Sequence, residues 1–115
     1  MAQPRFLLHA RDYRYPVFEV DDLYALEADG DETLVRLRAR RRRRDVRSFG
    51  EVLARLEPHG FVEIYRGIAV NAAHVRELRR DADEERWEVR MRPPVNLVLP
   101  VAERRVARVR KVLAA

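Results

Sequence analysis

Apolar and polar positions alternate with period two through most of this chain, and two short stretches switch to the helical period. Residues 1–13 carry no clear period and read as an N-terminal arm, leaving 14–115 as one domain. Tyr15, Val17 and Phe18 begin an extended segment, and Pro16, which has no amide donor, argues for an edge position. Asp21-Asp22 breaks that segment. Leu23 to Asp29 predicts a second strand, with Gly30 in the turn behind it. From Thr33 to Arg40, Val35, Leu37 and Ala39 fall on one face and Arg36, Arg38 and Arg40 on the other; Arg43 to Ser48 is expected to return antiparallel to it.

Ser48-x-x-Glu51 is a capping box, in which each side chain satisfies the other residue's backbone amide. Phe49, Val52, Leu53 and Leu56 then fall at i, i+3, i+4 and i+7, predicting a short amphipathic helix that Pro58 and Gly60 end. Strands at 61–65, 69–71 and 74–80 follow, and an acidic turn from Asp81 to Glu85 joins the last of them to Trp87–Met91. Pro93-Pro94 makes a further break before a strand from Asn96 to Val101. Val106, Val109, Val112 and Leu113 mark a C-terminal helix with a basic opposite face. Short strands with frequent turns predict a mostly β fold of small antiparallel sheets with one short central helix and a C-terminal helix, not a parallel α/β fold.

The chain has 115 residues and 47% hydrophobic content, enough for a real core in one domain. A net charge of +5 favours a polyanionic partner. Of the 24 basic residues all but Lys111 are arginine. That bias reflects genome composition as readily as function, but Arg is the better bidentate ligand for phosphate and guanine. Charge is also segregated. Residues 15–35 hold Glu19, Asp21, Asp22, Glu27, Asp29, Asp31 and Glu32 and no base, whereas bases concentrate at 36–47 and 104–111.

The chain has no cysteine, which excludes disulfides and thiolate zinc sites. No apolar run approaches the ~20 residues that cross a bilayer, and the N-terminus lacks a secretory pattern, so a cytoplasmic protein is the simplest reading. His9, His59 and His74 are scattered without metal-ligand spacing. No nucleophile elbow, P-loop or dinucleotide fingerprint occurs. The expectation is therefore no catalysis, cofactor, metal, membrane partner or small-molecule substrate.

The most informative stretch is Phe61-Val62-Glu63-Ile64-Tyr65-Arg66-Gly67-Ile68-Ala69-Val70-Asn71-Ala72-Ala73-His74-Val75. It places an Arg and an Asn on either side of a tight bend between strands. Arg suits phosphate or guanine, and Asn suits an adenine edge or a backbone bend. The stretch resembles the "F-x-R-I-H-R-S-Y-I-V-N-x-x-H-I" signature of the LytTR (LytR/AlgR-type) DNA-binding domain family. Val20-Asp21-Asp22-Leu23-Tyr24-Ala25-Leu26-Glu27-Ala28-Asp29-Gly30 is similar to that family's "V-x-D-I-x-Y-I-E-A-x-G" opening. Ser48-Phe49-Gly50-Glu51-Val52-Leu53 with Leu56 is similar to its helix, and Leu99-Pro100-Val101 with Arg104 to its "L-P-V-S-R-R" close. The pieces keep their order across residues 14–113.

The resemblance implies an elongated stack of antiparallel sheets that binds direct DNA repeats, with loops entering successive major grooves. It carries the DNA-facing role to the residues around Asp31 to Thr33, to Arg66 and Asn71, and to Glu103 and Arg104. The sequence departs from the pattern at Tyr65 (usually His), Gly67 (usually Ser), Ala102 (usually Ser) and Glu103 (usually Arg); Arg104 or Arg105 can take the role lost at 103. The expected DNA-binding residues are thus Thr33, Arg66, Asn71, Arg104 and Arg105, with Arg40, Arg41, Arg42, Arg43 and Arg108 as candidate phosphate contacts.

Each candidate has a structural alternative. Asn71 can simply shape a turn, and Arg66 can pair with a carboxylate such as Glu63. The Arg40–Arg44 run fits a solvated turn or an acidic partner surface. Arg104, Arg105, Arg108 and Lys111 fit a basic solvent-facing helix end. Tyr13, Tyr15 and Tyr24 do not form the aromatic array of an RNA-stacking platform. The function expected is sequence-specific double-stranded DNA binding by a bacterial transcription regulator, as a homodimer on tandem repeats. The chain carries no receiver or membrane segment, so it is expected to be a stand-alone regulator or a piece of a larger one. The alternative is a protein-interaction module of the same fold.

Overall fold

Leu23, Tyr24, Ala25 and Leu26 are consecutive and all buried, so the strand they belong to is covered on both faces. In the computed structural model, which describes residues 3–115 apart from the Arg40 side chain, this strand is the centre of a three-layer arrangement. The chain runs β1 (Arg5–Leu7), β2 (Val17–Glu19), β3 (Leu23–Asp29), β4 (Glu32–Leu37), β5 (Arg42–Asp45), α1 (Phe49–Leu56), β6 (Phe61–Tyr65), β7 (Ile68–Asn71), β8 (Val75–Asp81), β9 (Arg86–Met91), β10 (Val98–Val101) and α2 (Val106–Leu113). All strand pairing is antiparallel. β5-β4-β3-β7-β6 form one sheet, β10-β9-β8 a second and β1-β2 a third. The molecule measures 46 × 36 × 24 Å.

Strand alternation assigns the two faces of the central sheet to separate cores. Leu26, Val35, Leu37, Phe61 and Ala69 meet Val52, Leu53 and Leu56 of α1, together with Phe6 and Leu8 beside β1. On the other face Ala25, Val62, Ile64 and Val70 meet Val89, Met91, Leu99 and Val101 of the second sheet and Val106 and Val109 of α2. Ser48 caps α1 as its spacing predicts: its Oγ accepts the Glu51 N–H at 3.3 Å. The carboxylate of Glu51 takes the Ser48 hydroxyl at 3.2 Å, not the backbone amide.

Two segments differ from the sequence reading. The expected arm carries β1, which pairs with β2 and buries Phe6; the alternation was hidden by the apolar Leu7, which points outward and is 48% exposed. The strand expected to run to Arg40 ends at Leu37 in a single 3-10 turn, where Ala39 takes φ 63° and is exposed rather than buried. The chain then turns back early, so that Arg42 already pairs opposite Arg36.

Candidate nucleic-acid interface

The register brings three loops to one end of the central sheet. Asp29 pairs with Glu32 around the Gly30-Asp31 turn, and Glu27 pairs with Ile68. The β3–β4 and β6–β7 turns therefore leave the sheet together. They touch: the Ala28 N–H donates to the Gly67 carbonyl at 2.7 Å. Gly67 has φ 75°, and a Cβ there would lie 3.1 Å from Cβ of Ala28. The departure from serine at this position thus has a steric reason.

The third loop, residues 102–105 between β10 and α2, lies against the end of β6. The Ala102 N–H donates to the Ile64 carbonyl at 2.8 Å. Glu63 ties the second and third loops together, accepting the Gly67 N–H on Oε2 and Arg105 Nη1 on Oε1, each at 3.2 Å. Sequence reading considered Glu63 only as a partner for Arg66, and the structure gives it Arg105 instead. No local pattern could have signalled this, because the two residues lie far apart in the chain.

The expected DNA-binding residues divide. Arg66 and Arg104 are exposed at this end and form no ion pair among the described residues. Arg105 is partly buried and held by Glu63. Thr33 and Asn71 are corrections. Thr33 is fully buried and its hydroxyl donates to the Arg47 carbonyl at 2.9 Å. Asn71 is 3% exposed. Its Nδ2 donates to the Leu23 and Val20 carbonyls at 3.0 and 3.4 Å, and its Oδ1 accepts the Ala73 N–H at 3.1 Å. Both side chains use their polar groups inside the protein, so neither reaches a duplex in this conformation. Asn71 shapes the bend between β7 and β8 from ordinary extended backbone (φ −77°), not from the left-handed region.

The arginine run lies elsewhere. Arg42 and Arg43 are exposed on edge strand β5, and Arg41 precedes it; the Arg40 side chain lies outside the described residues. Arg43 also covers the Phe18 ring, 5.8 Å from its centroid. β5 and β6 are opposite edges of the sheet, and α2 packs at the β6 side. The basic groups at 36–47 and 104–111 therefore do not meet. Arg108 is exposed, with Glu57 at 3.9 Å.

The acidic stretch 15–35 folds against its own arginines. Arg36 meets Glu27, Arg38 meets Asp21 and Asp22, Arg44 meets Asp29 and Glu32, and Arg11 meets Glu32. Within β5, Asp45 is fully buried against Arg47 at 2.8 Å. Burial pushes the Asp45 carboxyl up, but the Arg47 guanidinium and the backbone N–H groups of Arg47 and His9 outweigh it and hold the group below its ordinary value. Among the described residues no three His, Asp or Glu side chains are grouped to hold a metal ion. No helix there is long and apolar enough to cross a membrane.

The sequence model of the LytTr DNA-binding domain family matches residues 13–114. Among solved structures, the fold is similar to one described as a LytTr DNA-binding domain from Bacillus cereus. That likeness has a TM-score of 0.75 at 19% identity and covers 99% of this chain and 100% of that one. No curated protein matches the chain in sequence.

Proposed function

The chain belongs to the LytTR DNA-binding domain family, and we propose that it binds double-stranded DNA in a sequence-specific manner as a bacterial transcription regulator, two copies occupying direct repeats. The observation that carries this is the convergence of three loops on one end of the sheet, with Arg66 and Arg104 exposed there and in no ion pair among the described residues. In the proposed complex these loops enter the major groove. Arg66 and Arg104 engage phosphate or guanine, and Gly30-Asp31, not Thr33, faces the duplex from the first turn. Asn71 and Glu63 act from inside, fixing the bends that aim the arginines. Arg41, Arg42, Arg43 and Arg108 supply peripheral phosphate attraction.

Selection of bound sequences from a random duplex pool tests the proposal. A repeated motif, lost on scrambling and bound with steep salt dependence, is the expected result. The exposed Asp31 and Glu103 at the same end favour a second reading, a protein-interaction module of the same fold; absence of any DNA affinity at low salt would establish that reading over the first.

A further inference from the structure

The segment that read as an arm is half of a hairpin whose tip reaches the loop end of the sheet. Beyond β1 and β2 the ladder continues: the Leu8 N–H donates to the Pro16 carbonyl and the Ala10 N–H to the Arg14 carbonyl, both at 2.9 Å. Arg11, Asp12 and Tyr13 form the closing loop. Asp12 and Tyr13 both lie at positive φ, 63° and 56°. Aspartate tolerates that region, but a bulky ring there is uncommon. Tyr13 is 91% exposed, so packing within the domain does not explain its presence. Arg14 beside it is exposed and forms no ion pair among the described residues.

The hairpin is firmly mounted. Asp45 accepts the His9 N–H at 3.1 Å, Arg47 donates to the Leu7 carbonyl at 3.0 Å, and the Val46 N–H donates to the His9 carbonyl at 2.9 Å. Arg11 then bonds Glu32 at 3.0 Å, setting the tip beside the β3–β4 turn. Four loops therefore stand in a row: the tip, the β3–β4 turn, the β6–β7 turn and the 102–105 segment. The exposed cations Arg14 on one side, and Arg66 and Arg104 on the other, flank an acidic turn bearing Asp31. A major groove has a phosphate backbone on each side, and the base edges between include the amine donors of cytosine and adenine, which an acidic side chain can accept from.

We propose that the hairpin tip is a fourth DNA-contacting element, with Arg14 on the phosphodiester backbone at the border of the site and the Tyr13 ring against the adjacent sugar. This inference rests on the DNA-binding function proposed above. The contact is independent of base sequence and lengthens the footprint.

The test uses Arg14→Ala, Arg14→Lys and Tyr13→Gly, the last chosen because glycine suits the positive φ and preserves the turn. Binding to a selected duplex is measured across salt, with ethylation interference to map the phosphates. Arg14→Ala is expected to weaken every duplex alike, by roughly tenfold. It should flatten the log–log salt slope by about 0.9 and remove one border phosphate from the footprint. Arg14→Lys should keep the slope, and Tyr13→Gly should weaken binding without changing base preference. If the wild-type chain binds a repeat and all three variants bind identically with an unchanged footprint, the hairpin assignment alone is overturned. If the wild-type chain binds no DNA at low salt, both proposals fall. Lost self-association in Tyr13→Gly with unchanged DNA binding would assign the tip to a protein partner instead and overturn the inference.

Discussion

Arg42 and Arg43 lie on an exposed edge strand with Arg41 just before it, whereas Arg66 and Arg104 come from distant parts of the chain and reach one end of the sheet only because two turns and a helix entry leave it together. In sequence the first group dominates. In the fold it lies on the opposite edge from the 102–105 loop, and its charge also discourages pairing with another sheet edge. The second group is sparse but held in place, by Glu63 across two loops and by the close approach of Gly67 to Ala28. In the proposed complex the run of charge supplies attraction for a polyanion, and the positioned single charges do the reading.

That contrast can be tested by substitution. The largest effect is expected at Asp45, whose removal leaves Arg47 without its partner in a buried setting. Asp45→Ala should lose about 3–5 kcal/mol in equilibrium denaturation. The same pair gives a pH signature. A carboxyl whose folded pKa is depressed stabilises the protein above its unfolded value near 3.8 and loses that contribution as pH falls through the lower folded value. The stability gap between wild type and Asp45→Asn should accordingly begin to narrow below about pH 4 and go on narrowing as pH falls through the lower folded value.

Next come Arg66→Ala and Arg104→Ala. Each should cost about 1.5–3 kcal/mol of DNA binding while leaving thermal stability within about 0.5 kcal/mol of wild type; equal binding by both variants would remove them from the interface. Asn71→Ala should behave in the opposite way. It leaves the Leu23 carbonyl and the Ala73 N–H without partners, at about 1–3 kcal/mol of stability, yet base preference measured on the folded fraction should hold. A changed preference with unchanged stability would return Asn71 to the duplex. Smallest is the triple change of Arg41, Arg42 and Arg43 to Gln. It should lower the salt slope slightly and leave the selected motif intact, as a competition assay between matched and scrambled duplexes would show.

Strands and helices were legible where alternate burial leaves a clear pattern. β3 and β6 begin and end where the apolar positions indicate, and Ser48 marks the start of α1. The pattern failed at Leu7 and Ala39, where an apolar residue faces solvent, and hence at the hairpin and the strand end. The site was legible only in part. Arg66 and Arg104 were singled out by the tight bend and by the family resemblance, and the structure leaves both exposed at the loop end; their contact with DNA is the proposal. Thr33 and Asn71 could not be judged, since the same side chains suit a base edge and a buried carbonyl, and their partners lie far along the chain. The Glu63 bridge has no local signature.

Amide chemical shifts recorded while the chain is titrated with its selected duplex would locate the interface residue by residue. The loop-end arrangement predicts the main changes at Gly30 and Asp31, at Arg66 and Gly67, and from Ala102 to Arg105, with lesser ones along β5. Main changes at Arg41 to Arg43, with the three turns silent, would contradict it.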